Sequence, residues 1–369
     1  MKISTRRDAL FAQLQTVTRA ASTRSAVQAL SGVQLQARAG AIELRATDME
    51  IGLRVPLDGD VIRDGAVVLP ARLLVDVVRA LPADEVTLEL RPSEQDVELV
   101  GGTATFHIRT LRLEDFPPFP EAEGDGRVEV PGPAFVETVL KVARSASRDE
   151  TRPVLTGILV SAAGEELRMV ATDSYRLSVK ETRLEAALEG SFEANVPARA
   201  LQELTRIVQH GAAEGLSVSV RANQVVFEAA GVVLSSRLID GQFPNYRQLL
   251  PDTYEHELRL AGTEVTEVVR RISLLAQKNA PLRLAFSEGE LTVSARTPDV
   301  GEARETLAVP FQGEPLEIGF NPEFLRDGLE ALEGGDVLLK LISPLRPGLI
   351  QAADGSGFQY LLMPIRLNV

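Results

Sequence analysis

The chain is predicted to be α+β, with one domain plan written three times in tandem. Three observations predict this. Ala171, Thr172 and Asp173 echo Ala46, Thr47 and Asp48, with a fainter echo at Ala295, Thr297 and Asp299; Thr47, Thr172 and Thr297 are spaced 125 residues apart. That period is the size of a whole domain and too long for a solenoid unit of roughly 20–50 residues. At 369 residues, 44% hydrophobic and 25% charged, the chain has room for two or three ordinary globular cores. Short alternating apolar runs flank segments of helical period throughout, the pattern of a helix layer on antiparallel sheets.

The first copy, residues 1–121, opens with a strand over 1–4 and a helix over about 7–19, with Leu10, Leu14 and Val17 on one face. Residues 32–55 alternate, Val33, Leu35 and Ala37 against Gln34, Gln36 and Arg38, with Ile42 and Leu44 next; these are half-buried antiparallel strands. A short strand ends at Leu69. Pro70 opens a helix to Leu81, with Leu73, Leu74, Val77, Val78 and Leu81 as its buried stripe. Strands follow at 86–90, 96–100 and 105–111, so each half reads strand, helix, three strands. Residues 114–126, rich in proline and acid, read as a linker.

The second copy, residues 127–250, repeats the plan. A strand over 127–130 leads to a helix over about 133–145, then strands at 155–160, 167–172 and 176–180. Val196, Pro197, Ala198 and Arg199 open a helix to about Gln209, matching Leu69, Pro70, Ala71 and Arg72; strands follow at 216–221, 225–228 and 232–238. The third copy, residues 254–369, has a helix over 263–276 and strands at 282–286, 290–294 and 303–309. A second helix, introduced by 318–322, runs to Leu332 with Phe324, Leu325, Leu329 and Leu332 inward, and the final strands run on to Leu367.

No apolar run approaches the ~18 residues of a membrane span, and Met1 to Arg7 lead straight into a helical pattern with no signal core. With no cysteine, disulfides, thiolate metal sites and cysteine nucleophiles are excluded, and a cytoplasmic setting is expected. The net charge of −13 argues against a protein that grips DNA over most of its surface.

Catalytic signatures are missing. His107, His210 and His256 stand apart, with no metal-ligand spacing. There is no phosphate-binding glycine loop and no nucleophile elbow; Gly355, Ser356 and Gly357 read as a turn between the last two strands. Acidic doublets such as Asp84 with Glu85 and Asp149 with Glu150 read as solvated loops. Asp48 and Asp173 hold equivalent places, where an aspartate accepts backbone N–H bonds and fixes a turn. The basic residues are more telling, because each expected helix carries or borders some: Arg7, Arg19 and Arg24; Arg72 and Arg79; Lys141, Arg144 and Arg148; Arg199 and Arg206; Arg270, Arg271 and Lys278; and Arg326. These are either arginines on solvated helix faces or, if the helices share one surface, a face suited to phosphates without base readout.

Over its whole length the chain resembles the bacterial sliding clamps, the β subunit of DNA polymerase III. The resemblance rests on the threefold repeat and on the Pro-Ala-Arg openings at Pro70 and Pro197. It also rests on Ala171, Thr172, Asp173, Arg176 and Leu177, on Asp240, Gly241, Phe243, Pro244, Tyr246 and Arg247, and on the C-terminal Met363, Pro364, Ile365, Arg366 and Leu367.

The resemblance implies a clamp domain in each copy and a head-to-tail homodimer that closes a six-domain ring, helices inside and sheets outside, around duplex DNA. It implies a processivity factor with no active site, cofactor or metal. Its partners would be the replicative DNA polymerase, the clamp loader and repair polymerases, which bind through short peptide motifs. The peptide pocket implied between the second and third domains would be walled by Leu155, Thr172, Ser174, Tyr175, Arg176, Leu177, Pro244, Gln248, Leu249, Asn321, Phe324, Leu345, Leu362, Met363, Pro364, Ile365, Arg366 and Leu367. Two or three apolar anchors at about 1.5–3 kcal/mol each, less ordering costs, suit roughly micromolar affinity. The chain departs from the family at Ser174, Tyr175 and Gln248, where glycine, histidine and arginine are common, so its polar rim differs. Near the DNA face, Pro153 and Val154 replace common aromatics, which leaves Arg24, Arg72, Arg148, Arg152 and Arg199 as the expected DNA contacts. The alternative is a ring-shaped interaction scaffold that does not encircle DNA.

Overall fold

The computed structural model describes residues 1–119, 126–276 and 280–367. The strand–helix–three-strand plan recurs six times, and among the described residues one further strand, Asp60–Arg63, stands outside it. The six helices are α1 (Arg7–Val17), α2 (Ala71–Ala80), α3 (Gly132–Val142), α4 (Ala198–His210), α5 (Gly262–Ser273) and α6 (Pro322–Glu330).

The contacts gather into two compact units, residues 1–133 with 199–238, and residues 134–198 with 239 onward. The middle copy is therefore shared, its first half in one unit and its second half in the other. In the first unit an eight-stranded antiparallel sheet crosses the boundary between copies: Ile51–Leu57 pairs with Val232–Arg237, placing Leu53 opposite Leu234. A five-stranded sheet of the first copy ends in the edge strand Ala104–Arg109. In the second unit an eight-stranded sheet is sewn in the same way, with Arg176–Arg183 against Phe358–Leu362 and Leu177 opposite Leu361. A four-stranded sheet of the third copy ends in the edge strand Gly301–Ala308.

The helices sit where their apolar periodicity demands. Leu10, Leu14 and Val17 on α1, Phe135, Val139 and Val142 on α3, and Val265, Val269 and Ile272 on α5 hold equivalent places, and all nine are buried. The repeated turn is built as its aspartates require. Asp48 Oδ1 accepts the backbone N–H of Glu50 and Ile51, and Asp173 Oδ1 accepts those of Tyr175 and Arg176, at 2.8–3.0 Å. Thr47 and Thr172 each donate to the carbonyl at the far side of the turn, on Ile51 and Arg176. Met49 and Ser174 sit at φ 77° and 78°, the left-handed region that side chains rarely adopt.

Several expectations are corrected. Leu73 is exposed, because the buried stripe centres on Leu74, Val78 and Leu81 and leaves Leu73 on its flank. Pro70 closes a strand and α2 begins at Ala71. Pro153 opens a short 3₁₀ turn, Pro153–Thr156, so the next strand begins at Gly157 and not at Leu155. The last strand stops at Leu362, since Pro364 has no N–H for a ladder; only Ile365 bridges back, to Gly319. Gly355, Ser356 and Gly357 form the expected turn, with both glycines at positive φ. Within the expected linker, Phe116 is buried against Ala29 and Val68; residues 120–125 of that linker, and Lys278, lie outside the described residues.

The turn makes a direct prediction. Asp48→Ala removes an acceptor from two backbone N–H groups and should lower stability in chemical denaturation by about 1–2 kcal/mol. An unchanged midpoint would show that the turn forms without it.

Candidate functional site: a pocket rim on the second unit

The sheet seam of the second unit ends in a corner where several chain segments meet. The turn over residues 172–176 supplies Thr172, Ser174, Tyr175 and Arg176. The chain leaving the last strand follows it, with Met363 donating its backbone N–H to the Tyr175 carbonyl at 2.9 Å. The first turn of α6 supplies Asn321, whose side chain caps the N–H groups of Glu323 and Phe324 at 2.9 and 3.1 Å, and so fixes Phe324. The Phe324 ring lies 6.5 Å from that of Tyr175. On the other face of the seam Leu177 and Leu361 pack with Val170, Phe243, Tyr246 and Leu349 into one buried cluster.

Arg176 is the polar centre of this corner and is only 8% exposed. Its Nε donates to Asp173 Oδ2 at 3.0 Å and its Nη1 to Asp327 Oδ2 at 2.6 Å; Nη2 donates to the Arg144 carbonyl. Its guanidinium stacks on Phe324, 4.2 Å from the ring centroid. Burial opposes its charge, but Tyr360, Asp327 and Asp173 more than offset this and hold its proton more tightly than usual. The Tyr360 hydroxyl donates to the Phe324 carbonyl at 2.8 Å, and burial, with the two carboxylates, keeps it protonated well above the usual phenol range. Arg176 thus spends its donors inside the protein and positions the wall.

Of the expected pocket residues, Thr172, Ser174, Tyr175, Arg176, Leu177, Asn321, Phe324, Leu362 and Met363 are brought together by these contacts and by the seam. Ile365 and Leu367 fold back over Gly319. Leu155 is buried, and its carbonyl accepts from Ser147 N. Pro244, Gln248 and Leu249 are exposed on the segment that contributes Phe243 and Tyr246 to the cluster. Pro364 is partly covered and Arg366 exposed, and Leu345 stands exposed on the loop before Gly348–Ala352. Tyr175, Leu249, Leu345 and Met363 are large apolar side chains left exposed.

The basic set divides. Arg24 and Arg72 in the first unit and Arg148 in the second are exposed. Arg199 is committed inside the first unit, donating to Asp48 Oδ2 at 2.6 Å and to the Arg19 carbonyl at 3.2 Å. Arg152 is held at the pocket corner, by Asp149 at 2.8 Å and by Ser174 Oγ at 2.9 Å. Separately, a cavity of about 710 Å³ on the first unit gathers Arg19, Arg79 and Arg206 with Glu203. Among the described residues no three His, Asp or Glu side chains are grouped to hold a metal ion, and no helix is long and apolar enough to cross a membrane.

Patterning counts Asp327 only as one of the helix acids, with no pairing role, yet it takes both Arg176 and Arg144, the latter at 3.2 Å. A signal was present: Arg144 lies 125 residues after Arg19, which pairs at 3.3 Å with Glu203, the residue of α4 equivalent to Asp327 of α6. Removing one partner of a buried pair strands the other, so Asp327→Ala should destabilise the second unit by about 3 kcal/mol. Native-state hydrogen exchange of that unit, unchanged by the substitution, would contradict this.

Three family profiles match the chain in succession: the N-terminal domain of the DNA polymerase III beta subunit over residues 1–120, its central domain over 129–245 and its C-terminal domain over 247–366. The chain is 32% identical over 379 residues to the beta sliding clamp of Streptomyces coelicolor, covering all of both chains. It is 33% identical over 376 residues to that of Synechococcus elongatus, again over all of both. Among solved structures, it is similar to the DNA polymerase sliding clamp of Bacillus subtilis at a TM-score of 0.92 and 26% identity, and to pol III beta of Caulobacter crescentus at 0.91 and 28%, each over all of both chains.

Proposed function

Because the chain belongs to the DNA polymerase III beta subunit family, we infer that it is a DNA sliding clamp: a processivity factor that encircles duplex DNA and tethers the replicative polymerase. The observation that carries this reading is the succession of three clamp-domain matches over residues 1–366, with full-length relatives named beta sliding clamps. The three domains are proposed at 1–121, 127–250 and 254–369. The protein works without an active site or cofactor of its own, in the cytoplasm.

The internal repeat supports a head-to-tail dimer. Two seams join successive copies within the chain, Ile51–Leu57 with Val232–Arg237 and Arg176–Arg183 with Phe358–Leu362. The next strands in this series are Gly301–Ala308 and Ala104–Arg109, and each is an edge strand with an open row of backbone groups. Pairing them between two chains makes the third seam, and doing so twice closes a ring of six domains. The helix joints point the same way. Counted from the helix start, Arg19 and Arg144 pair with Glu203 and Asp327 of the following copy. The third such position is Leu274, 82% exposed, and on α2 the exposed Leu73 lies beside Asp76. The closing joint is thus apolar where the internal ones are ionic.

A ring explains how a chain of net charge −13 keeps hold of DNA. Topological linkage needs few phosphate contacts, and Arg24, Arg72 and Arg148 supply them. The corner at Tyr175, Leu177, Phe324 and Met363 is the docking pocket, through which the polymerase, the clamp loader and repair polymerases exchange on short peptides.

Two measurements follow. Primer extension on a circular template, with the cognate polymerase and loader, should give products many times longer when the protein is added. The double variant Leu177→Ala, Met363→Ala should lose that gain, with partner peptides weakened about tenfold or more, while still dimerising; full processivity in the variant would remove the pocket from the mechanism. Sedimentation at micromolar concentration should show a dimer for the parent chain and a monomer for Leu274→Glu, whereas a monomeric parent would overturn the ring.

A further inference from the structure

We propose that closing the ring is linked to protonation of one histidine: His107 of each chain meets Glu302 of the other across the closing seam, so the dimer tightens as the pH falls. The proposal rests on the head-to-tail dimer inferred above and adds its regulation.

The two seams within the chain fix the register of the third. Gly52 stands opposite Ser235 in the first, and Leu177 opposite Leu361 in the second. Gly52, Leu177 and Glu302 are spaced 125 residues apart. Ser235, Leu361 and His107 are each the fourth residue of their strand, Val232–Arg237, Phe358–Leu362 and Ala104–Arg109. Pairing the third seam in the same register puts His107 directly opposite Glu302.

On each internal seam the face that carries these pairs is covered by aromatic side chains from the segment leading to the next copy. Phe119 lies on Gly52, where a Cβ would come within 2.9 Å of its aromatic ring. Phe243 and Tyr246 pack on Leu177 and Leu361. The segment after Phe358–Leu362 goes elsewhere, with Ile365 and Leu367 folding onto Gly319. At the third seam the corresponding pair is left to water, and it is charged where the covered pairs are small or apolar. His107 and Glu302 are both exposed.

The charges around His107 decide the direction of the effect. On its own chain Glu98 stands opposite, 3.9 Å from Nε2, and Asp96 lies 3.9 Å from Nδ1. Arg91 Nη2 is 2.6 Å from Nδ1, but Asp96 matches that charge by accepting from Arg91 twice, at 2.9 and 2.8 Å. One strand further, Glu89 is paired with Lys2 and Arg63. Arg109 follows two residues along the same strand. The second chain brings Glu302 directly opposite and Arg304 on the diagonal, with Arg296 behind Glu302 on the strand paired to it. Opposite residues sit about 5 Å apart and diagonal ones about 7–8 Å, so a carboxylate is the nearest charge that closing adds. Histidine changes charge between about pH 5 and 8. Closing therefore favours the imidazolium and takes up a proton. The gain is present at the acid end of that range and is lost as the pH rises through it.

The test is the dimer dissociation constant of the full-length chain at about pH 6 and about pH 8, by sedimentation with fluorescence detection. The chains compared are the parent, His107→Gln, His107→Glu, and His107→Glu combined with Glu302→Lys. Both positions are exposed, so the variants are expected to fold. An exposed ion pair is worth about threefold at one joint and so about tenfold over the two joints of the ring. The parent should dimerise about tenfold more tightly at the lower pH, and His107→Gln equally at both. His107→Glu should weaken the dimer at both, and Glu302→Lys should restore it. A parent dimer indifferent to pH, a pH effect that survives His107→Gln, or a His107→Glu dimer that is not weakened or not repaired by Glu302→Lys overturns the proposal and leaves the ring standing. A parent that stays monomeric at micromolar concentration removes the ring, and the proposal with it.

Discussion

At each seam between copies, a guanidinium joins the turn of one copy to the helix layer of the next. In the first unit it belongs to Arg199, which reaches Asp48 and the Arg19 carbonyl. In the second unit it belongs to Arg176, which reaches Asp173 and the Arg144 carbonyl. Asp48 and Asp173 are equivalent by the repeat, and so are Arg19 and Arg144. The charge therefore occupies one place in the domain plan although it is supplied from two places in the chain. Sheet pairing alone would leave each turn free to part from the helix beside it, and this charge prevents that.

The difference in supply has a functional consequence. Arg199 comes from the first turn of a helix, and Ile51 is buried where Arg176 stands in the next copy. In the second unit the turn provides the arginine itself, and α6 no longer has to: Glu323 holds the place of Arg199, and Phe324 is free to stack on the guanidinium and face Tyr175. One seam is sealed by a helix arginine; the other keeps an aromatic-lined corner. A repeat that is structurally regular thus becomes chemically distinct at one joint, the joint proposed above as the docking site.

Much of this was legible in the sequence, because local patterning carries it. The spacing of Leu10, Leu14 and Val17 and its counterparts locates the helices, and the Thr47–Asp48 and Thr172–Asp173 echoes locate the turns. The strand Asp60–Arg63 was not legible: it is an edge strand, mostly exposed, with no apolar alternation to mark it. Leu73 was misplaced because an unpartnered helix flank and a buried one share the same residue types. Asp327 and the Ser174 bond to Arg152 depend on residues distant in sequence meeting in space, which periodicity does not encode. The repeat did encode them indirectly, since each partner has a counterpart one period away.

Acidity and DNA binding, which look opposed in the composition, are reconciled if retention is topological. The most direct measurement is retention on circular against linearised DNA at high salt, after loading with the cognate loader and ATP. Retention on circles with loss from linear ends is expected, because salt screens phosphate contacts and leaves a closed ring linked. Equal loss from both would mean that the chain holds DNA by charge alone, and encirclement would have to be abandoned.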